Sequence, residues 1–370
     1  MCIRSYKYRL YPSRSQAKKL DSTLEVCAKI YNNLLNIRKD SWENENKSIS
    51  KYGMDKLIPS MASEYLDIKQ VHSQVLQNVS ERVDLAYKSF FRRIKEGGGK
   101  CGYPRYKCKD RYKSFSYPQS GYRILDSDFL RISKIGDVKI NLHRELPNEP
   151  KRLHVKKGKD GKWWAVFIVE VEPKLKPVAT EKVFGFDLGL SEILTRSDGK
   201  TYKRERFDKR DKKDIARLQR KCKKEKYSSK SKKALAKAFS RQANRRSDYI
   251  HKLSNDLVSE NQVMFFEKIN IKNLMDNNFK PINKSLGDAS WAKLISCIIY
   301  KAEEAGRTVI FVDPKNTTRE CSNCGVIKNK KLSQRDHVCD CGFKATRDHN
   351  AAINILRRGL ASLETDLSVS

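Results

Sequence analysis

Four cysteines near the C-terminus constrain the fold of this chain more than any other feature. Cys321 and Cys324 form a CxxC pair, Cys339 and Cys341 form a CxC pair, and a glycine follows each pair. Two close thiolate pairs at this spacing are typical of a zinc ribbon, in which a tetrahedral Zn²⁺ takes all four sulfurs. Four reduced surface cysteines placed by chance are the alternative, but four of the ten cysteines lie within 21 residues. Because a closed Cys₄ site has no open ligand position, the predicted site is structural and not catalytic.

The net charge indicates the kind of partner. The chain of 370 residues contains 78 Lys and Arg against 44 Asp and Glu, a net charge of +34. Such an excess indicates a polyanion, most commonly nucleic acid, with a ribosomal-type or membrane-surface protein as alternatives. The membrane alternative is weak, because the longest apolar run, Trp163–Val169, is far too short to span a bilayer. The other six cysteines have no disulfide spacing, which favours a reducing intracellular compartment.

The first half of the chain predicts a small β-barrel interrupted by helices. Residues 3–11 alternate between basic and apolar side chains, which is the period of a half-buried strand. Residues 13–96 carry apolar side chains at helical spacing, with a second helix predicted over 68–96. Five more strands are predicted at 122–125, 129–132, 138–142, 152–156 and 163–172. Together with 3–11 these strands can close a barrel, and a linker is expected at 173–177.

The loop at residues 102–117 interleaves tyrosines with lysines and arginines. This composition suits stacking on bases and binding of phosphates. A solvated loop without a partner has the same composition, so this feature alone favours neither interpretation.

The second half of the chain predicts an α/β layer, with strands and helices in alternation. Two apolar strands each carry a single carboxylate, Asp187 in 182–190 and Glu267 in 263–267. An amphipathic helix is predicted over 288–305, followed by a strand at 308–312. Asp348 stands at the head of a last helix predicted over 350–360.

A basic segment separates the two acidic strands. Residues 196–252 contain 23 Lys and Arg against 7 Asp and Glu, a net +16. A charge run is usually a solvated helix face, but nearly half of the chain's surplus lies here and would repel itself without a polyanion.

Asp187, Glu267 and Asp348 stand out by their positions. A buried, uncompensated carboxylate is costly, and three converging carboxylates favour a hard cation such as Mg²⁺. Two such ions can stabilise the attacking and leaving oxygens in phosphodiester hydrolysis. Each acid alone can equally be a helix cap or a surface charge, and spacing does not establish that the three converge.

The stretches around these residues resemble the TnpB family, transposon-encoded relatives of type V CRISPR effectors. The resemblance extends over essentially the whole chain and is carried most strongly by residues 184–190, 265–274 and 321–354. It implies a fold of α/β class with a small β-barrel and a helical domain, the α/β part being an RNase-H-like RuvC nuclease domain with an inserted Cys₄ zinc ribbon. The implied domains are a wedge barrel (1–12 and 119–180), a helical recognition domain (13–118), a RuvC domain (181–316 and 347–370, with a basic helical segment at 208–260) and a zinc ribbon (317–346).

The resemblance also implies a function. The family members are RNA-guided endonucleases that cut double-stranded DNA beside a short transposon-associated motif, using a guide RNA from the transposon end. It implies that Asp187, Glu267 and Asp348 are catalytic and bind Mg²⁺, two ions being expected, and that Cys321, Cys324, Cys339 and Cys341 bind a structural Zn²⁺.

The resemblance further implies that Tyr52 and Gln77 lie in the region that reads the adjacent motif, although a solvent-facing polar residue is an equal interpretation for Gln77. A monomer in the bacterial or archaeal cytoplasm, associated with the nucleoid and not with a membrane, is expected.

Three other functions are compatible with parts of this sequence. A guided DNA-binding regulator that has lost cleavage would carry a substituted acid, and all three acids are present. A transposase component could use the same triad for strand transfer. A zinc-ribbon RNA-binding protein would cut no DNA in the presence of divalent metal.

Overall fold

The computed structural model describes residues 2–64, 66–97, 101–108, 110–125, 128–172, 180–276, 280–330 and 334–369. The chain divides into two compact units, Met1–Glu172 and Pro173–Ser370. The linker predicted at 173–177 lies outside the described residues.

The first unit contains a seven-stranded sheet in which all neighbouring strands are antiparallel. Its order is β2-β6-β7-β1-β5-β4-β3, so the first strand of the chain lies in the middle of the sheet. The strands are β1 (Cys2–Tyr11), β2 (Ser114–Tyr117), β3 (Tyr122–Ile124), β4 (Phe129–Ile132), β5 (Gly136–Asn141), β6 (Arg152–Lys157) and β7 (Trp163–Val171).

The sheet curls around an apolar interior. Every second residue of β7 is buried, as the alternating pattern requires. The ring of Tyr122, on the last strand in the order, lies 6.2 Å from that of Phe167 and 6.3 Å from that of Tyr117 on β2. The strands on both sides of the helices join one sheet, as predicted, whereas closure of that sheet into a barrel stays a prediction. In the described residues its β2 and β3 edges meet through side chains and not through a hydrogen-bonded ladder.

The helices of the first unit lie between β1 and β2 in the chain, as predicted. They are α1 (Arg14–Glu45), α2 (Lys51–Glu64), a 3₁₀ turn (Leu66–Gln70) and α3 (Ser73–Lys95). The Ser13 hydroxyl accepts the Gln16 amide, while the Gln16 side chain accepts the Ser13 amide, so a capping box fixes the start of α1.

Two predictions for the first unit are wrong in detail. The helix predicted from residue 68 begins only at Ser73, because His72 in extended conformation caps α3. The last four residues of the predicted loop 102–117 form β2, whose Phe115 and Tyr117 are buried in the core.

The second unit contains a five-stranded mixed sheet of order β10-β9-β8-β11-β12. The central strand β8 runs parallel to β11 and antiparallel to β9, and β11 runs parallel to β12. The strands are β8 (Val183–Leu188), β9 (Glu192–Arg196), β10 (Thr201–Lys203), β11 (Val263–Glu267) and β12 (Thr308–Val312), with a separate hairpin of β13 (Asp336–Val338) and β14 (Lys344–Thr346).

Seven helices of the second unit are described. They are α4 (Phe207–Arg210), α5 (Lys212–Lys224), α6 (Ser229–Glu260), α7 (Ile271–Asp276), α8 (Lys280–Ala289), α9 (Trp291–Glu304) and α10 (Arg347–Val369). The helix predicted over 288–305 is observed as α9, but it begins only at Trp291, because Ser290 adopts φ 52° and ψ 42° and separates it from α8. None of the helices in the described ranges is both long and apolar enough to cross a membrane.

Candidate active site and metal centre

Two of the three acids lie side by side at one edge of the sheet. The register of the parallel strands pairs Phe266 with Phe186, so Glu267 and Asp187 follow directly at the carboxyl ends of β11 and β8. The rings of Phe186 and Phe266 stack with centroids 5.2 Å apart, and both are fully buried. This packing fixes the two strand ends relative to each other.

The third acid is brought to the same edge by α10. A Cβ on Gly185 would lie 2.4 Å from the backbone oxygen of Ala352, so the helix backbone touches β8 at this glycine. Asp348 precedes Ala352 by one helical turn, and Asp187 follows Gly185 by two residues on the same face of the strand. A Cβ on Gly189 would lie 3.7 Å from Oδ2 of Asp348. The glycines on both sides of Asp187 thus leave room for α10 and its acid.

The electrostatics of Asp187 reflect this convergence. The residue is only 7% exposed, and burial is the largest cause of a pKa raised well above the ordinary value. The negative charges of Glu267 and Asp348 raise the pKa further, while the Arg347 guanidinium and the Leu188 amide oppose them. The charges of both other acids therefore act on Asp187, which places the three carboxyl groups near one another.

Glu267 has a specific partner outside the sheet. The buried hydroxyl of Thr317 donates to its Oε1. Burial raises the pKa of Glu267, whereas this hydrogen bond and the charge of Arg358 lower it. One face of the carboxylate is thereby held by the chain.

The four cysteines meet as their spacing predicts. The Sγ atoms of Cys321 and Cys341 are 3.7 Å apart, and those of Cys324 and Cys339 are 3.5 Å apart. Four sulfurs at the usual zinc bond length of about 2.3 Å stand about 3.8 Å from one another in a tetrahedron.

The two turns differ in their effect on the thiols: the pKa of Cys341 is lowered, whereas at Cys324 the Val326 amide lowers the pKa but hydrogen bonds with the other cysteines raise it to about 12. Gly325 and Gly342 adopt φ 78° and 84°, the conformation that two tight turns require. The Phe343 amide is the largest cause lowering the pKa of Cys341 to about 6, and the Asn323 side chain adds to it.

The base of the cysteine hairpin is tied to α10. Asn350 donates to the backbone oxygen of Glu320 at 2.7 Å and accepts the Ser322 amide at 3.0 Å. Asn354, one turn further along the helix, donates to the same Glu320 oxygen at 2.8 Å and to that of Thr317 at 2.9 Å. The helix that carries Asp348 therefore also holds the segment that carries Thr317.

The four cysteines and the three acids differ in how closely their ligand atoms approach one another. Among the described residues, only the four cysteines form a set of three or more Cys, His, Asp or Glu whose ligand atoms all lie within 4.8 Å of one another. The three acids share one edge of the sheet but spread more widely. Mutual repulsion of carboxylates without a cation is a physical reason for this spread.

Tyr52 and Gln77 lie in the first unit, on α2 and α3. Tyr52 is 75% exposed, and the Lys51 ammonium lies 5.4 Å from the centre of its ring. Gln77 is exposed, while the next residue, Asn78, is buried and bonded to Glu81 and Arg82. Both predicted residues are available to solvent, and their role stays a prediction.

The sequence did not predict that Thr317 bonds Glu267, or that Asn350, Asn354 and Arg358 of α10 bind the backbone of the segment before the cysteines. The available signal was helical spacing, since Asn350, Asn354 and Arg358 recur every four residues after the head of α10. Thr317 gave no such signal, because its partner Glu267 lies fifty residues away in the chain.

Helices α5 and α6 of the basic segment pack against each other as a hairpin, and α6 is held to the rest of the second unit by an ion pair. Arg246 donates to Asp288 at 2.6 Å, and Arg204, itself 5% exposed, lies 3.6 Å from the same carboxylate. Most lysines of α5 and α6 are exposed. The hairpin therefore presents its charge to solvent from a fixed base.

Three family models match the chain. The model described as a probable transposase matches residues 166–278, a Cas12f1-like TNB domain matches 291–355, and a helix-turn-helix domain matches 1–47. In the structure, the described part of 1–47 is strand β1 and the single helix α1, not two helices joined by a turn.

Relatives match over nearly the whole length. A putative RNA-guided DNA endonuclease of Streptomyces pristinaespiralis is 30% identical, with 97% of this chain and 90% of the relative covered. The putative RNA-guided DNA endonuclease InsQ of Escherichia coli is 27% identical, with 98% and 93% covered. A Cas12f1 from a cryo-EM complex with sgRNA and target DNA has a similar fold, with a TM-score of 0.57 at 13% identity, covering 93% of this chain and 83% of that one.

The fold and the two sites define a basic protein with a mixed α/β sheet that carries acids at one edge, and with a cluster of four cysteines. The match to the Streptomyces relative assigns the family. The chain belongs to the TnpB family of IS605-type elements.

Proposed function

We propose that this protein is an RNA-guided DNA endonuclease of an insertion sequence, which cuts double-stranded DNA beside a short transposon-associated motif. The observation that carries the proposal is the meeting of Asp187, Glu267 and Asp348 at one sheet edge, in a family whose relatives bear this activity in their names. The mixed sheet with α10 packed across β8 supports an RNase-H-like RuvC domain.

The three acids fit a hard divalent cation. Asp187 is buried beside two further negative charges, a donor set of carboxylate oxygens that Mg²⁺ prefers and that lacks full compensation by the chain. Bound Mg²⁺, expected as two ions, supplies charge stabilisation for the oxygens that attack and leave in phosphodiester hydrolysis.

The residues of the chain have separable roles in this proposal. Bound cations would be held by Asp187 from β8, by Glu267 from β11 and by Asp348 from α10. Thr317 fixes one oxygen of Glu267, which leaves the other oxygen free to face the metal. Phe186 and Phe266, which precede Asp187 and Glu267 in their strands, stack in the core on the opposite face of the sheet and fix the two strand ends.

The metal at Cys321, Cys324, Cys339 and Cys341 is proposed to be a structural Zn²⁺. The four sulfurs stand at tetrahedral separations, and thiolate ligands select Zn²⁺ over hard cations. A closed Cys₄ set leaves no position for a reacting water, so its role is to hold the base of the hairpin.

The proposed partners are a guide RNA from the transposon end and duplex target DNA. Base pairing with the guide would read the sequence, while the protein reads the short motif and the backbone shape. The net charge of +16 over residues 196–252 supports a role of the α5–α6 hairpin in holding the guide–target duplex. Tyr52 and Gln77 are proposed to contact the adjacent motif.

One assay separates this proposal from the other three functions, the zinc-ribbon RNA-binding protein being the one that neither cuts nor binds DNA with a guide. A plasmid library with randomised sequence beside a fixed target is incubated in Mg²⁺ with protein coexpressed with RNA from its transposon end. Guide-dependent cuts that are lost in Asp187→Ala support the endonuclease and reveal the adjacent motif.

Guided binding without cuts would instead identify a regulator. Cutting and joining of transposon ends without a guide would identify a transposase component.

A further inference from the structure

The base of the cysteine hairpin contacts the proposed active site directly. Thr317 is 2% exposed, and its hydroxyl is the only side chain in the described residues that hydrogen-bonds Glu267. Its other acceptor is the backbone oxygen of Pro314, at 3.1 Å. The single hydroxyl hydrogen prefers the ionised carboxylate, because hydrogen bonds to charged acceptors are the stronger ones.

The segment around Thr317 is fixed from both sides. Asn354 binds its backbone oxygen at 2.9 Å, and the Cys321 amide, four residues later, donates to Val326 inside the hairpin at 2.9 Å. Arg358 donates to the backbone oxygen of Lys315 at 2.6 Å and to the Glu320 carboxylate at 2.6 Å. Residues 313–322 therefore form a strap that is held by α10 at one side and by the four cysteines at its end.

We propose that Thr317 is a positioning residue that fixes the Glu267 carboxylate for metal binding, and that the strap 313–322 makes this position depend on the metal state of the four cysteines. The inference rests on the proposed function, since it assigns Glu267 to the cation site. The closed Cys₄ site would then affect the reaction indirectly, through the position of Glu267, because metal bound there would not contact the substrate.

The hydroxyl and the shape of Thr317 can be separated by two substitutions. Thr317→Val keeps the buried shape but removes the donor, and Thr317→Ser keeps the donor but removes a methyl group. Valine should raise the Mg²⁺ concentration for half-maximal guided cleavage about tenfold, the lower end of the loss of a hydrogen bond to a charged group. Serine should restore most of the wild-type Mg²⁺ dependence, and guided DNA binding should be unchanged in both.

A binding measurement keeps this inference separate from the proposed activity. Mg²⁺ titrated calorimetrically into the protein–guide complex should bind about tenfold more weakly to Thr317→Val than to wild type, with Glu267→Gln as the reference for a lost ligand. Equal Mg²⁺ dependence in valine and wild type would overturn the positioning role, even if the protein cuts DNA. Wild type that cuts nothing but still binds Mg²⁺ about tenfold more tightly than Thr317→Val would overturn the proposed function and leave the positioning role in place.

A different observation, in the first unit, concerns the loop at residues 101–108. This loop is clamped to α1. Asn32 donates to the Lys107 backbone oxygen at 3.0 Å and accepts the Lys107 amide at 2.8 Å. The hydroxyl of Tyr106 donates to Asn36 at 2.8 Å, while the Tyr106 side chain stays 54% exposed.

The clamped loop displays aromatic rings. Tyr103 stacks on the buried Phe90 with centroids 5.0 Å apart and is itself 44% exposed. Phe91, 53% exposed, lies beside Phe90 at 5.2 Å. The exposed Arg105 stands between the two tyrosines in the loop. Phe91 and Tyr103 flank the same buried ring, and the loop that carries Tyr103, Arg105 and Tyr106 is held by α1, so these side chains are held in place before a ligand arrives.

We infer that Phe91, Tyr103 and Tyr106 form a stacking platform for unpaired RNA bases. Exposed aromatic faces beside cations match single-stranded nucleic acid, whose bases stack and whose phosphates need charge. Duplex DNA keeps its bases paired and offers no free face to these rings.

Salt dependence separates stacking from charge. Binding of a labelled oligouridine to the full chain is measured by anisotropy at several salt concentrations. Tyr103→Leu should weaken binding about tenfold without changing the salt slope, whereas Arg105→Gln should lower the slope by about one. Trp42 on α1 is a half-exposed aromatic residue outside the platform, and Trp42→Leu should change the affinity little. Equal affinities of Tyr103→Leu and wild type, or an equal loss with duplex DNA, would overturn the platform.

Discussion

The four-cysteine cluster and the three-acid edge lie in the same unit but are built in opposite ways. The four thiols come from two turns within 21 residues, and glycines with φ of 78° and 84° shape those turns. The acids come from residues 187, 267 and 348, and they meet only because β8 and β11 pair in register and α10 crosses Gly185. A local site survives small changes elsewhere, whereas an assembled site depends on every contact that aligns its elements.

The largest effect is expected from a substitution that disrupts the three-acid edge and leaves the four cysteines intact. Asp187→Asn removes a buried charge from the proposed cation site and should lower guided cleavage at least about a thousandfold, because metal stabilisation is worth several kcal/mol. Cleavage rates are measured under single-turnover conditions with saturating guide, and zinc content is measured in the same samples.

Zinc content should be unchanged in Asp187→Asn, and the matched change of an exposed acid, Asp214→Asn, should leave cleavage intact. A cleavage rate within tenfold of wild type would remove Asp187 from the proposed site.

The second-largest expected effect is a loss of cleavage when the four-cysteine cluster, the local site, loses its metal. Cys339→Ser should lose the bound metal and lower cleavage about ten- to hundredfold, a loss typical of disturbed outer-shell support. Amide exchange should rise across the described parts of 313–346, including the strap, while β8 keeps its protection.

The exposed Cys108 offers the control, since Cys108→Ser should change neither metal content nor cleavage. Full cleavage by a metal-free Cys339→Ser protein would show that the two sites are independent.

The same contrast explains what the sequence can predict. Cys321 to Cys341 carry their geometry in their spacing, so the cluster is predictable and the structure confirms it. Most strands are predicted within two residues, since alternation is a local pattern. Asp187, Glu267 and Asp348 are predicted as candidates, but their approach depends on long-range register that no local pattern contains.

The errors have the same origin. The break at Ser290 comes from a left-handed residue that is not glycine, which helical periodicity does not reveal. Residues 114–117 resemble a polar loop, because their strand character comes from pairing with β6 and burial of Phe115. In the first case the backbone of a single residue, and in the second the pairing with another strand, decides what a local pattern does not show.

A third change tests the contact that aligns α10. Gly185→Ala places a Cβ 2.4 Å from the Ala352 oxygen and 2.5 Å from the Leu356 amide, both backbone atoms that cannot rotate away. It should destabilise the protein by about 1–3 kcal/mol, as overpacking does, and impair cleavage more than zinc binding.

Gly287 is the matched control, because it lies in α8 and a methyl group added there would have no atom within 4 Å. Gly287→Ala should be neutral or stabilise by up to about 1 kcal/mol in chemical denaturation. Equal stability of the two alanine variants would contradict close packing of α10 on β8.

The smallest effect is a pH dependence of stability in metal-free protein. The pKa of Asp187 is raised in the folded state by burial first and by Glu267 and Asp348 next. A raised carboxyl pKa contributes stability that is fully present below the unfolded value, about 3.9, and is lost as pH rises toward the folded value.

Asp187→Asn should therefore unfold at a higher denaturant concentration than wild type without Mg²⁺, with a difference that grows from pH 5 upward. Added Mg²⁺ should reduce the difference by stabilising wild type alone. A difference that shrinks with rising pH would contradict a raised pKa at Asp187.

The central claim is that the three acids together hold divalent cations. The most direct measurement is an anomalous-scattering map of crystals of the protein–guide complex soaked in Mn²⁺, which substitutes for Mg²⁺ at oxygen sites. Manganese peaks are expected within bonding distance of oxygens from Asp187, Glu267 and Asp348, distinct from the zinc peak expected at the four cysteines. Manganese bound elsewhere, with the three acids free of metal, would contradict the account.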